Sequence, residues 1–188
     1  MTRILAAALI AISLSGAEIP KGFAPVPKDK LDNLRLLLTD AGCSLTAPNA
    51  DWVWLAPANS DGKNFMCFST KTGGSVSISI GEMKNNDMDE HTREELTKGA
   101  KQAAIKSGSA VSNEKFEKSE IPLPGKSWRY SYEMRADLRR AFVIFYFVQT
   151  AGKAFVTMQG ISMEPTDTPT FHNFVASLQL LKPAPKEK

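Results

Sequence analysis

The hydrophobic pattern of the chain centres on one run of eight apolar or aromatic residues, positions 141–148, with the sequence AFVIFYFV. Most of these side chains are β-branched or aromatic, and such a run is typical of a strand buried on both faces. It is too short for a bilayer-spanning helix, which needs about 20 residues. Residues 128–135 alternate aromatic and polar side chains before it, and residues 153–162 follow a short turn after it. We therefore predict an antiparallel meander with the apolar strand in the middle.

Three further segments have strand patterns. Residues 51–55 and 64–69 flank the sequence NSDG, which favours a turn between two strands. Residues 75–80 alternate strictly, with Val76 and Ile78 on one face and serines on the other. One polar face is typical of a strand near a sheet edge, so we expect residues 75–80 there.

Helical spacing of apolar residues marks three segments, which are residues 28–41, residues 87–107, and a segment from Asp167 or Thr168 to 182. In the first segment, the leucines 31, 34, 37 and 38 form a stripe, and Gly42 is placed to end the helix. Acidic residues crowd the first turns of the second segment, and Pro183 ends the third. Together the elements predict a single α+β domain over residues 28–182, an α/β/α sandwich with three helices around an antiparallel sheet.

The two ends of the chain differ from this domain. Residues 1–17 combine Arg3, an apolar stretch and small residues up to Ala17, which predicts a secretory signal peptide cleaved after Ala17. The alternative is an uncleaved N-terminal membrane anchor. Residues 18–27 form a proline-rich lead-in and residues 183–188 a disordered tail. We expect a periplasmic or secreted protein with no membrane span after cleavage.

The charge balance gives little indication of a highly charged partner. Removal of Arg3 with the signal peptide lowers the formal net charge from +3 to +2. That value is too small to indicate binding to nucleic acid or to an anionic membrane surface. We therefore expect no nucleic-acid partner.

The chain has two cysteines, Cys43 and Cys67. In an exported protein such a pair predicts a disulfide, and closing a loop of this length contributes about 3 kcal/mol. The alternative is two buried thiols in unrelated places. The sequence has no C-x-x-C motif, which disfavours redox catalysis and zinc binding.

Few residues suggest catalytic or metal chemistry. His91 lies near oxygen-bearing side chains that suit a hard cation, namely Asn85, Asn86, Asp87, Asp89 and Glu90. An acidic helix start explains the same residues, and the segment lacks the spacing of a calcium loop, so we predict no metal site. His172 falls off the apolar stripe of its helix, and no G-x-S-x-G motif is present. We predict no catalytic residue and no cofactor.

The most suggestive surface is basic. Its predicted members lie on or beside the strand that precedes the apolar run, and they are Lys126, Arg129, Arg135, Arg139 and Arg140. Such a patch is suited to an acidic partner or an anionic ligand. The alternative is ordinary surface charge, partly matched by Glu133 and Asp137.

From about residue 52 to residue 181 the layout resembles the PsbP-like and DcrB-like group of exported proteins. The resemblance is carried by SVSISIGEMK before a helix, by WRYSYEM, by the hairpin RRAFVIFYFVQTAGKAFVTMQG and by the closing FHNFVASLQLL. It implies the sandwich fold and a non-catalytic accessory or partner-binding role.

We therefore predict a non-enzymatic accessory protein of the cell envelope that binds another envelope or secreted protein. The alternative is a module for a small ligand or lipid, with its pocket between a helix and the aromatic strand of Trp128, Tyr130 and Tyr132. A hydrolase with a site assembled from distant residues ranks last.

Overall fold

A computed structural model describes residues 18–59, 61–83, 89–136, 139–150, 153–162 and 169–181. The signal peptide, the C-terminal tail and the candidate metal-ligand residues 85–87 lie outside the described residues. No helix in the described ranges is long and apolar enough to cross a membrane.

The described residues form twelve strands and two α-helices, with 3-10 turns at Lys28–Lys30 and Thr39–Ala41. The strands are β1 (Phe23–Pro25), β2 (Leu31–Asp32), β3 (Arg35–Leu38), β4 (Cys43–Thr46), β5 (Trp52–Pro57), β6 (Asn64–Ser69), β7 (Ser75–Glu82), β8 (Ala110–Lys118), β9 (Ser127–Ala136), β10 (Arg139–Gln149), β11 (Ala154–Ser162) and β12 (Gln179–Leu180). The helices are α1 (Glu90–Lys106) and α2 (Pro169–Ala176).

Eight strands form one large antiparallel sheet in the order β1-β5-β6-β7-β11-β10-β9-β8. The predicted meander is confirmed, because β10 pairs with both β9 and β11, and Phe145 lies opposite Tyr130 and Gln159. Residues 143–148 of β10 are all buried, as the uninterrupted apolar run predicts.

Different layers cover the two faces of β10. Val143, Phe145 and Phe147 pack in one cluster with the apolar face of α1. The alternate residues of β10 pack in a second cluster with α2 and with a small four-stranded sheet of order β12-β4-β3-β2. The first cluster has no member from β5 or β6, and the second has none from β8 or β9. The two covering layers are therefore offset. On the face that α1 covers, β5 and β6 instead contribute a third, separate buried cluster of Leu55, Met66 and Phe68.

The predicted three-helix α/β/α sandwich is wrong. The described chain is β-rich, and residues 28–41 form strands β2 and β3 with 3-10 turns rather than a helix. Asn33 has a positive φ of 54° in the hairpin between these strands, a conformation that interrupts a helix. Leu36 and Leu38 are buried while Leu37 is only partly buried, so the closely spaced leucines follow the two-residue period of a strand.

Two smaller expectations also fail. The last helix ends at Ala176, because Ser177 bonds across to the small sheet, where its hydroxyl accepts a hydrogen bond from the Thr46 N–H at 3.0 Å. The following residues form β12 instead of further helix. Strand β7 is not near an edge, since it lies between β6 and β11. Its serines remain partly exposed because α1 packs over the other half of the sheet.

Close packing of α2 on β11 gives a stability prediction. A Cβ at Gly160 would lie within 2.8 Å of the Phe171 ring. We expect Gly160→Ala to lower the free energy of unfolding by about 1–3 kcal/mol, because the ring must shift in a packed core. In a Phe171→Leu background the same substitution should lower the free energy of unfolding by less. Urea unfolding of the wild type, the two single variants and the double variant measures this difference. An equal cost in both backgrounds would contradict this contact.

Candidate functional site

An open cleft of about 570 Å³ lies beside α2, at one end of the large sheet. Three separate stretches of chain supply its walls: the end of β4 through the start of β5, the end of β6 with the turn that follows it, and α2 with the residue after it. The lining residues are Thr46, Ala47, Pro48, Asn49, Asp51, Trp52, Ser69, Lys71, Thr72, Thr170, Asn173, Phe174 and Ser177.

Local hydrogen bonds fix the two loops of the cleft. The Asn49 side-chain oxygen accepts a bond from the Asp51 N–H at 2.9 Å, and the Thr70 hydroxyl donates to the Asp51 carbonyl at 2.9 Å. In the second loop, the Ser69 hydroxyl accepts from the Thr72 N–H at 3.1 Å. The Asn49 and Ser69 bonds are turn contacts that these residue types commonly make, and the Thr70 bond joins the two loops, so together they hold the cleft walls in place.

The aromatic part of the cleft comes from β5. Trp52 and Trp54 lie two residues apart and therefore on the same face of the strand. Trp54 is buried, packs with its ring tilted against Phe174 at a centroid distance of 5.8 Å, and donates its indole N–H to the Leu34 carbonyl at 2.8 Å. Trp52 lies at the start of β5, two residues before Trp54, and is only partly buried. It lines both this cleft and an adjoining cavity of about 290 Å³.

The charges in the cleft are balanced. Asp51 and Lys71 are its two charged lining residues, both are exposed, and no ion pair joins either of them to another described residue. The remaining polar groups on α2, Thr170 and Asn173, are exposed side chains. The cleft therefore offers uncharged hydrogen-bonding groups with one acid and one base, an arrangement that can bind a polar ligand.

The predicted basic residues divide into two groups. Arg135 and Arg140 lie opposite each other on β9 and β10. Arg129 lies six residues from Arg135 along β9, about 20 Å away, and pairs with Glu117 at 2.9 Å. Lys126 is exposed just before the same end of β9, and the Arg139 side chain lies outside the described residues. The structure thus brings Arg135 and Arg140 together but not the whole predicted patch.

A buried carboxylate holds the arginine pair. Arg140 donates to Glu133 at 2.6 Å and Arg135 donates to its other oxygen at 2.5 Å, while Asn113 adds a third bond at 3.0 Å. Hydrogen bonds from Arg140 and Arg135 lower the pKa of Glu133 from its usual 4.5 to about 2. The Arg135 and Arg140 side chains are nevertheless 61% and 52% exposed. They lie on the part of the sheet face that the small sheet does not cover.

Both cysteines are unbonded, buried thiols in this structure. Burial raises the pKa of Cys43 to about 12 and also raises the pKa of Cys67. They belong to one core cluster, Cys43 from the small sheet and Cys67 from the large one. The disulfide between them stays a prediction.

The other sequence candidates occupy ordinary positions. Asp89 caps α1 by accepting a bond from the Thr92 N–H at 2.7 Å, and His91 lies 3.4 Å from Glu95 one helical turn along. No cluster of three metal-ligating side chains occurs among the residues that the structure describes. His172 is exposed on α2 and does not line the cleft.

The aromatic strand β9 packs tightly on α1. The Tyr132 hydroxyl donates to the Ala100 carbonyl at 3.2 Å, and the Tyr130 hydroxyl donates to Glu114 at 2.6 Å. Burial raises the pKa of Tyr132 to about 12, and burial with the adjacent Glu114 carboxylate raises that of Tyr130. Both rings are core residues, and the cleft lies elsewhere on the molecule.

No protein-family model and no curated protein matches the sequence. Among solved structures, the chain is similar to a protein from Bacteroides thetaiotaomicron VPI-5482, with a TM-score of 0.50 and 11% identity. The similarity covers 81% of this chain and 50% of that chain, so this chain spans about half the length of its neighbour. At this identity the likeness shows the fold alone. It does not bear on the PsbP-like resemblance, which stays a prediction.

The Glu133 carboxylate gives a prediction for acid stability. Because its pKa is lower in the folded protein, its stabilising effect is present above about pH 4.5 and is lost as the pH falls toward 2. We expect Glu133→Gln to lower the melting temperature at pH 7 and to make it less dependent on pH between 4.5 and 2.

Melting curves recorded across this pH range measure the effect. Glu117→Gln is the matched control, because it removes an exposed carboxylate whose ion pair with Arg129 contributes little. Identical pH profiles for the wild type and Glu133→Gln would contradict the role of Glu133.

Proposed function

We propose that the protein is an exported, non-enzymatic accessory protein of the cell envelope that binds an acidic segment of another envelope or secreted protein. The observation that supports this proposal most is the arginine pair, Arg135 and Arg140, exposed above the buried Glu133 on an open part of the sheet.

The chemistry of the pair suits a carboxylate partner. Two guanidinium groups share one carboxylate, so the cluster carries a net positive charge. Arg135 uses only its Nε atom toward Glu133, which leaves its two terminal nitrogens without a partner among the described residues. Arg140 also stacks at 4.7 Å over the Phe142 ring. Side chains held in place in this way lose less entropy when they bind a carboxylate.

The sequence supports the cellular setting of the proposal. Residues 1–17 have the pattern of a secretory signal peptide, which directs a protein to the envelope or beyond it. The PsbP-like resemblance implies an accessory role without catalysis. Neither feature depends on the arginine pair, so both support the proposal independently.

Binding is tested with the variant Arg135→Gln/Arg140→Gln, which removes both positive charges. An amide at position 135 can still donate to Glu133, because Arg135 donates through Nε, whereas Arg140 donates through a terminal nitrogen that a glutamine does not reach. We expect the immobilised mature wild type to retain a specific acidic protein from an envelope extract at low salt. We expect the variant to retain at least tenfold less of that protein, because it lacks the guanidinium groups that attract the carboxylates.

The matched control is Lys21→Gln/Lys28→Gln, which removes two exposed positive charges from the region near the opposite edge of the large sheet. It should retain the partner as the wild type does. Equal retention by the wild type and by the arginine variant, with both proteins folded by circular dichroism, would refute the proposal.

A further inference from the structure

We propose that the cleft beside α2 binds a neutral saccharide. This inference is independent of the arginine pair, because no residue of that pair lines the cleft. It rests on the size of the cleft, on its balanced charge, on its uncharged hydrogen-bonding groups and on the partly exposed Trp52.

The size of the cleft indicates a ligand larger than a single ion. Its volume of about 570 Å³ falls within the range of about 300–1,000 Å³ typical of small-molecule sites. A phosphate ion or a free amino acid would leave much of this space to water. A saccharide of one or two rings fills it better.

The charge and polarity of the walls disfavour two other ligand classes. Asp51 and Lys71 give the lining no net charge, which is poorly suited to a phosphorylated or otherwise strongly anionic ligand. Nine of the thirteen lining residues are polar or charged. A lipid chain would cover exposed side chains among them without offering a partner, including those of Asp51, Lys71, Thr170 and Asn173.

The polar groups suit hydroxyls. A sugar hydroxyl both donates and accepts hydrogen bonds, as do the amide of Asn173 and the hydroxyl of Thr170. These two side chains lie one helical turn apart on α2 and make no side-chain hydrogen bond to another described residue. The Asp51 carboxylate across the cleft can accept from a pair of neighbouring hydroxyls, and Lys71 can donate to one.

Trp52 supplies the apolar element of the site. The C–H groups on the flat face of a pyranose ring pack favourably against an indole ring, which also excludes water from the contact. Trp52 is only partly buried, whereas Trp54 on the same face of β5 is committed to the core through Phe174 and Leu34. Trp52 packs against the same core cluster but keeps part of its indole exposed at the wall of the cleft.

The inference is tested on the mature protein by NMR titration with maltose, cellobiose and chitobiose as neutral probes. Sodium phosphate and glycine serve as the anionic and zwitterionic probes. We expect at least one disaccharide to shift the indole N–H signal of Trp52 in a saturable manner. Asn173→Ala should weaken that binding at least tenfold, because it removes a donor and an acceptor at once.

His172→Ala is the matched control, since it truncates an exposed neighbour on the same helix that does not line the cleft. It should bind the disaccharide as the wild type does, and both variants should melt like the wild type because both side chains are exposed. The inference is overturned if no disaccharide shifts the Trp52 signal, if only phosphate or glycine does, or if Asn173→Ala binds as tightly as His172→Ala.

Discussion

The burial of both faces of β10 is the constraint on which the rest of this structure depends. Residues 143–148 alternate between two apolar clusters, so the strand is stable only with a covering layer on each side. One layer is the single helix α1. The other is the small sheet together with α2. The α1 layer lies over strands β8–β10 on one face, and the small-sheet layer extends over β5–β7 on the other face. Both layers cover β10, but they extend from it toward opposite edges of the large sheet.

This offset explains where the candidate sites lie. The small sheet does not reach β8 and β9, and the polar face left open there carries Arg135 and Arg140 over Glu133. Where α2 ends against the other half of the large sheet, the cover is incomplete and forms the cleft at Trp52. Both sites are therefore consequences of how the core is covered, and neither interrupts β10. The same offset leaves the serines of β7 partly exposed in the interior of the sheet.

Features encoded in a short stretch of sequence were predictable. The meander and α1 follow from local periodicity, and the structure has both at nearly the predicted residues. The segment 28–41 was misleading because its leucines satisfy a helical period and a strand period at once. The positive φ of Asn33 and the pairing of β3 with β4 decide in favour of strands, and the second of these depends on residues beyond the segment itself.

The candidate sites were harder to predict. The sequence identified Arg135 and Arg140, but it also grouped them with Arg129, which the length of β9 places far away. The burial of Glu133 was hidden because an alternating strand pattern assigns it to the polar face. The cleft could not be predicted from any short stretch of sequence, because its walls come from three separate segments that meet only in the folded protein.

Hydrogen exchange followed residue by residue tests most directly whether β10 is the strand around which the fold is built. The backbone amides of residues 143–148 should exchange only through global unfolding, because both strand neighbours and both covering layers protect them. The amides of the edge strand β8 should exchange faster through local opening. If the amides of β10 exchanged as fast as those of β8 under native conditions, the account of a strand covered on both faces would be contradicted.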